Sequence, residues 1–342
     1  MSYKSRMGRV DIKLGYSCND ACIHCVVDDF RDALRAKGLH QDKTTRQFID
    51  ELSEARGRAD TVVLTGGEPT IRRDLVDIVR HARSLGYRIL VQSNGRRFSD
   101  PSFVDALVAA SDMTFCIALH GPTAEVHDAV TRRGGAFEET VAGIGNLLAR
   151  RQAVTGKIVL SRVNTPHLVE TVELFHALGV RYVSIAYPHA LGMARKMWDE
   201  VVPRYVDVLP FLHRALDAVH RLGMSADAET FTYCHMEGYE HFISEIQQQL
   251  ETYVELQQYG CDDAVLDWSV VRRDIKRKFP PCRACRFDAI CEGPWTEYAE
   301  RYGGDEFRPL YGVPVTDVRA ILDGTFRSHL AAFGGRAVPI SC

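Results

Sequence analysis

The chain contains no run of about 20 consecutive apolar residues, so no segment reads as a helix able to cross a bilayer. Its first nine residues are basic but have no apolar stretch behind them, which argues against a secretory signal peptide. Charge of one sign is missing too: 42 Lys and Arg against 45 Asp and Glu leave a net charge of −3. Neither a nucleic-acid backbone nor an anionic membrane is therefore expected as a main partner. There is no low-complexity linker, and no repeat beyond the strand–helix units described below. The ten Cys (18, 22, 25, 116, 234, 261, 282, 285, 291 and 342) form an N-terminal trio, a C-terminal trio and four singles, which is not a disulfide framework. Without an export signal the expected compartment is the cytoplasm, where clustered Cys usually serve metals or catalysis.

What is present is an ordinary globular composition, 46% hydrophobic and 25% charged over 342 residues, enough for one large or two modest domains. Short β-branched runs at 9–15, 61–65, 88–92, 113–119, 157–162 and 181–186 alternate with helical periodicity at 44–55, 73–85, 101–110, 137–149 and 166–178. Thr44 or Thr45 is the expected cap of the first helix. Such alternation predicts an α/β fold with a parallel sheet, either a partial barrel or an open doubly wound sheet. Longer helices are expected at 196–223 and 240–258. Beyond residue 260 the periodicity fades and Cys, Pro and aromatics accumulate, as in a region needing a metal staple.

Polar and Gly-rich residues cluster just after the strands, where parallel α/β folds bind ligands. The first such loop is Cys18-x3-Cys22-x2-Cys25. Three soft thiolates suit an iron–sulfur cube and leave one of its four irons open to an outside ligand. A zinc site is the rival, although zinc knuckles pair C-x2-C with a second pair or with His, and His24 is crowded by Cys25. The second loop holds Gly66-Gly67-Glu68-Pro69, whose glycines would admit close approach to a ligand. The third holds Ser93-Asn94. A further trio, Cys282-x2-Cys285-x5-Cys291, has half a zinc ribbon as its rival reading.

In these residues the chain resembles the radical S-adenosylmethionine (SAM) superfamily. Residues 64–75 and 118–144 are especially similar to the branch of the molybdenum-cofactor GTP cyclase and the PQQ-forming peptide enzyme (MoaA/PqqE-like). The resemblance spans roughly residues 8–190, with a fragment near 282–311. It implies a partial (β/α)6 TIM-like barrel over residues 8–225 and a small C-terminal Cys-rich region of SPASM/twitch type over 226–342. It also implies a 4Fe–4S cluster on Cys18, Cys22 and Cys25 whose open iron is chelated by SAM, reductive cleavage to a 5′-deoxyadenosyl radical, and hydrogen abstraction from a substrate. A flavodoxin- or ferredoxin-type donor would supply the electron.

Carried over by position, Gly66, Gly67, Glu68 and Pro69 meet the methionine amino group and His24 lies near the adenine. Ser93, Asn94 and Ser161 are expected near ribose or carboxylate. The chain departs from relatives at Ala118, where a Ser often helps hold SAM, leaving Arg132 as a substitute donor. The C-terminal trio would hold one auxiliary 4Fe–4S cluster, because position 295 is Trp where the full pattern has Cys. Its fourth ligand is expected to be Cys234, with Cys261 or an open site as alternatives.

Cys116 is expected as a buried small apolar residue and Cys342 as a frayed thiol. His120, His189 and His235 should face the mouth or its lid, while Trp295, Tyr298 and Tyr302 should pack the small region. The Arg pairs at 72–73, 96–97 and 132–133 read mainly as solvated helix starts. The short span before Cys18 favours a small natural-product or cofactor precursor over a short ribosomal peptide as substrate. A non-catalytic electron carrier and a zinc-stabilised binding protein are the rivals from other classes.

Overall fold

A computed structural model describes residues 8–250, 254–257, 265–323 and 325–326. Seven strands follow one another in parallel: β1 Gly8–Lys13, β2 Ala59–Thr65, β3 Arg88–Ser93, β4 Thr114–Ala118, β5 Ala153–Val159, β6 Tyr182–Ala186 and β7 Ser225–Glu229. They curl into a half-barrel. Beyond β1 the sheet continues through a parallel β8, Val254–Gln257, and an antiparallel β9, Val265–Asp267.

The period of two along each strand divides the sheet into unlike faces. On β1, Val10 and Ile12 are fully buried among the helices, while Arg9, Asp11 and Lys13 point to the concave side. On β4, Phe115 and Ile117 join the core and Cys116 faces inward. The apolar core thus lies between the sheet and its outer helices. Helix Thr45–Ala55 buries Phe48 and Leu52 there, each worth about 1.5–3 kcal/mol on transfer from water. It begins with the expected cap: Thr44 accepts from the Gln47 amide, and the Gln47 side chain accepts from the Thr44 amide.

The structure differs from the sequence reading in places. There is a seventh parallel strand, β7, whose sequence SADAE has no β-branched residue; it pairs with β6 and alternates buried Ala226 and Ala228 with inward Asp227 and Glu229. The expected boundary between 225 and 226 falls within this strand. The helix expected at 240–258 is instead a 3₁₀ turn (Glu240–Phe242), a short helix (Glu245–Leu250) and β8. Pairing with the otherwise open edge of β1 overrides local helix propensity there, and buried Glu255 of β8 meets Arg58 at 2.8 Å. The run at 196–223 breaks before Pro203 into Met193–Lys196, Trp198–Val201 and Tyr205–Arg221. β5 starts at Ala153, four residues ahead of its expected start, and helix Asp28–Ala36 was not foreseen. Among the described residues no helix is long and apolar enough to cross a membrane.

Candidate iron–sulfur and SAM site

The first cysteine loop leaves the carboxyl end of β1 and is fastened from several sides. Ala21 and Ile23 amides donate to the carbonyls of Thr131 and Val130, at 3.0 and 2.9 Å. Buried Asp20 accepts from Arg96 at 2.7 Å and from the Asn94 side chain at 3.0 Å. Arg96 and Arg133 both donate to the Asn19 carbonyl, at 2.7 and 2.9 Å. Arg96 is thus a half-buried clamp rather than a solvated helix start, and Arg72 likewise reaches inward to the carbonyls of Leu14 and Lys43. Burial pushes the Cys18 thiol up to about 12, and the Cys22 and Cys25 thiols upward as well. Thiolates there need a strong compensating positive charge.

The glycine turn after β2 is shaped by the chain itself. A Cβ on Gly67 would collide with the Ser17 carbonyl, because the Gly67 and Glu68 amides donate to Gly15 and Ser17 carbonyls at 2.8 Å each. The close approach foreseen for a ligand is made to the cysteine loop. Glu68 is buried and joins two strand ends: Oε1 accepts from the Thr70 amide, the Thr70 hydroxyl and the Ser93 hydroxyl, and Oε2 from the Asn94 amide at 2.7 Å. Burial raises its pKa, against these four donors. Glu68, Ser93, Asn94 and the cysteine loop therefore form one network.

Beside the loop lie three adjoining histidines. The His24 ring meets His120 edge-on at 4.6 Å, and His120 lies 5.8 Å from His127. The His120 amide donates to His127 Nδ1 at 3.0 Å and the Val159 amide to His120 Nδ1 at 3.3 Å, which places the ring protons of both on Nε2. Burial lowers the pKa of all three, to about 4 for His24 and His127. A strap after β6 covers the same loop. The Met193 amide donates to the Cys25 carbonyl at 2.9 Å, and Gly192, at φ 56°, lies where any Cβ would strike that carbonyl. Arg195 and Lys196 pair with Asp29 and Asp28 on helix Asp28–Ala36.

The second site draws on two distant segments. Cys234, Cys282, Cys285 and Cys291 line one hollow of about 370 Å³ including its open side, together with Tyr233, Lys278 and Arg308. Burial raises Cys234 to about 11 and Cys291 to about 12. Tyr233 stacks on Phe287 at 4.5 Å, and a buried network joins Lys276 to Glu245 (2.7 Å) and Glu292 (2.9 Å), with Arg272 on Glu292. Cys261 and Cys342 lie outside the described residues. Trp295 stacks on His189 at 4.0 Å, and His189 Nε2 lies 3.5 Å from Glu297, an acid–imidazole pair that the sequence reading did not single out. Tyr298 donates to Glu306, while Tyr302 reaches across to the Val202 carbonyl rather than packing only the small region.

Other expected residues stand apart. Ser161 is fully buried at the end of β5, and its hydroxyl donates to Asn164 at 3.0 Å. Arg132 is exposed, with Met197 sulfur at 3.9 Å and no carboxylate partner among the described residues. His235 is tied to Thr232 and the Glu306 carbonyl, a packing role. Cys116 faces the barrel interior rather than the core.

Among the described residues no three His, Cys, Asp or Glu side chains gather round one point as ligands of a single ion do. A cube spreads its thiolates over separate irons and does not require them to converge on one point. A parallel half-barrel with such a loop at the carboxyl end of its first strand is the arrangement expected of the radical SAM class. The sequence profile of the Radical SAM superfamily matches residues 12–186, just over half the chain, and the chain belongs to that superfamily. It is 33% identical over 194 residues to the mycofactocin maturase MftC of Mycobacterium ulcerans, covering 56% of this chain and 50% of that one. It is 31% identical over 191 residues to a probable GTP 3′,8-cyclase of Saccharolobus islandicus, covering 55% and 59%. The chain thus spans about half the length of the curated relatives it matches. SAM-bound SuiB of Streptococcus suis shares the fold at a TM-score of 0.62 and 13% identity, over 89% of this chain and 76% of that one.

Proposed function

We propose that the chain is a radical SAM enzyme that abstracts a hydrogen atom from a small natural-product or cofactor precursor. The observation that carries this reading is the fastening of a loop with three half-buried thiols, at the carboxyl end of β1, by Asn94, Arg96 and Glu68. A reduced cluster held by Cys18, Cys22 and Cys25 would supply one electron to SAM, freeing a 5′-deoxyadenosyl radical that takes hydrogen from the substrate. Glu68 Oε2 accepts one bond, so a lone pair remains for the methionine ammonium, as do the Gly66 and Gly67 carbonyls. The neutral His24 ring offers a face to the adenine, and the strap at 189–197 excludes water. Arg132 remains a free donor for the carboxylate. Ser93 and Asn94 act through Glu68 and the loop rather than directly.

Four thiols lining one hollow favour a closed auxiliary 4Fe–4S site on Cys234, Cys282, Cys285 and Cys291, with no open iron for substrate. An electron-transfer role follows more readily than substrate anchoring. A short peptide substrate is the second reading, favoured by the maturase among the relatives. Anaerobic protein should carry about eight irons with matching sulfide. Once reduced it should form 5′-deoxyadenosine from SAM, and deuterium transfer from candidate substrates into that product identifies the substrate. Zinc without sulfide refutes the proposal.

A further inference from the structure

The inward face of the barrel is charged, and its charges are almost all matched. Arg9 pairs with Asp11 at 2.9 Å. Lys157, from β5, meets Glu229 of β7 at 2.5 Å and the Ser184 hydroxyl at 3.0 Å. Asp227 accepts from the Tyr182 and Ser184 hydroxyls at 2.6 Å each. Lys13 is the exception: among the described residues its ammonium has no hydrogen bond and no ion pair.

Its position is informative. Lys13 ends β1, in register with Thr65, five positions before Cys18. Thr65 and Gln92, hydrogen-bonded to each other at 3.0 Å, sit at the same level, and Gln92 is exposed to the interior space. Burial lowers the Lys13 pKa, Asp11 opposes that, and Lys43 adds to it. A half-desolvated ammonium without a counter-ion is costly, and an incoming anion relieves that cost.

We propose that Lys13 anchors an oxyanion of the substrate, a carboxylate or a phosphate, inside the barrel beneath the cysteine loop. This rests on reading the barrel as a radical SAM active site. An anionic group held at Lys13 turns the rest of the substrate toward the loop, where hydrogen abstraction would occur.

The test is trace acetylation of the anaerobically reconstituted protein with acetic anhydride, each lysine being quantified by mass spectrometry and Lys13→Arg confirming the assignment. Lys13 should acetylate at lower pH than exposed Lys37. Near saturation, glutarate or inorganic phosphate should protect it by about an order of magnitude. Protection by glutarate identifies a carboxylate ligand, and protection by phosphate a phosphorylated one. Protection by SAM alone gives the ammonium to the cofactor and overturns the proposal. So does unchanged labelling with both anions, or a Lys13 that the reagent never reaches. If the same preparation forms no 5′-deoxyadenosine while an anion still protects Lys13, the enzyme reading fails and the anion site stands.

Discussion

Around the first cysteine loop the protein uses charge and amide hydrogen bonds drawn from neighbouring strand ends: Asp20, Asn94, Arg96 and Glu68. Around the second hollow it uses stacked aromatics and a buried ion network, with Cys234 about 50 residues from its partners. The first arrangement offers three thiols. The second offers four. On the proposed reading, three thiols leave the first cluster an iron to be approached, and four seal the second.

The largest expected effect separates the two chemically. Cys22→Ala should abolish 5′-deoxyadenosine formation, by at least about a hundredfold, a loss of some 2.7 kcal/mol in transition-state stabilisation. Cys285→Ala should retain uncoupled SAM cleavage while product formation fails. Either variant should fall from about eight irons to about four; equal loss of cleavage in both would erase the distinction.

Next come the supports. Arg96→Met leaves buried Asp20 with the Asn94 amide but without its ion-pair partner, at a cost of about 3–5 kcal/mol, and should strip iron from the first site only. Lys276→Met leaves Glu245 and Glu292 facing each other and should strip the second only. Denaturant unfolding and iron analysis on both variants check this, and crossed losses would show the sites to be one unit.

A smaller effect is pH-dependent. His120 and His127 are neutral when folded because burial lowers their pKa values, so unfolding takes up protons below their ordinary value of 6.5. Their contribution is complete above about pH 6.5 and is lost as pH falls, with a limiting slope of about 1.4 kcal/mol per pH unit for each. Urea midpoints of the metal-free protein at pH 7.5 and 5 should show it, and His127→Phe should lessen it. Smallest of all, Lys196→Ala should leave the thermal midpoint unchanged within error, since its pairs with Asp28 and Asp32 are exposed.

Much of the barrel was legible because its strands are β-branched and its loops polar. β7 was not, since Ala, Ser, Asp and Glu say little about strand formation until β6 lies alongside. β8 was hidden for the same reason, its pairing with β1 being non-local. The first trio is contiguous and could be read directly, whereas Cys234 was only one of several candidates for the second trio until the fold placed it in the same hollow. Arg96 and the His189–Glu297 pair were missed because their significance depends on what the fold places opposite them. A search for charged residues just beyond strand ends, matched against acids inside the cysteine motif, would have found Arg96.

Glu68 binds the ends of β2 and β3, and Asn94 hands that tie on to residue 20. The cysteine loop is thereby moored to the register of the sheet, so a slip of β3 against β2 would be felt at residue 20.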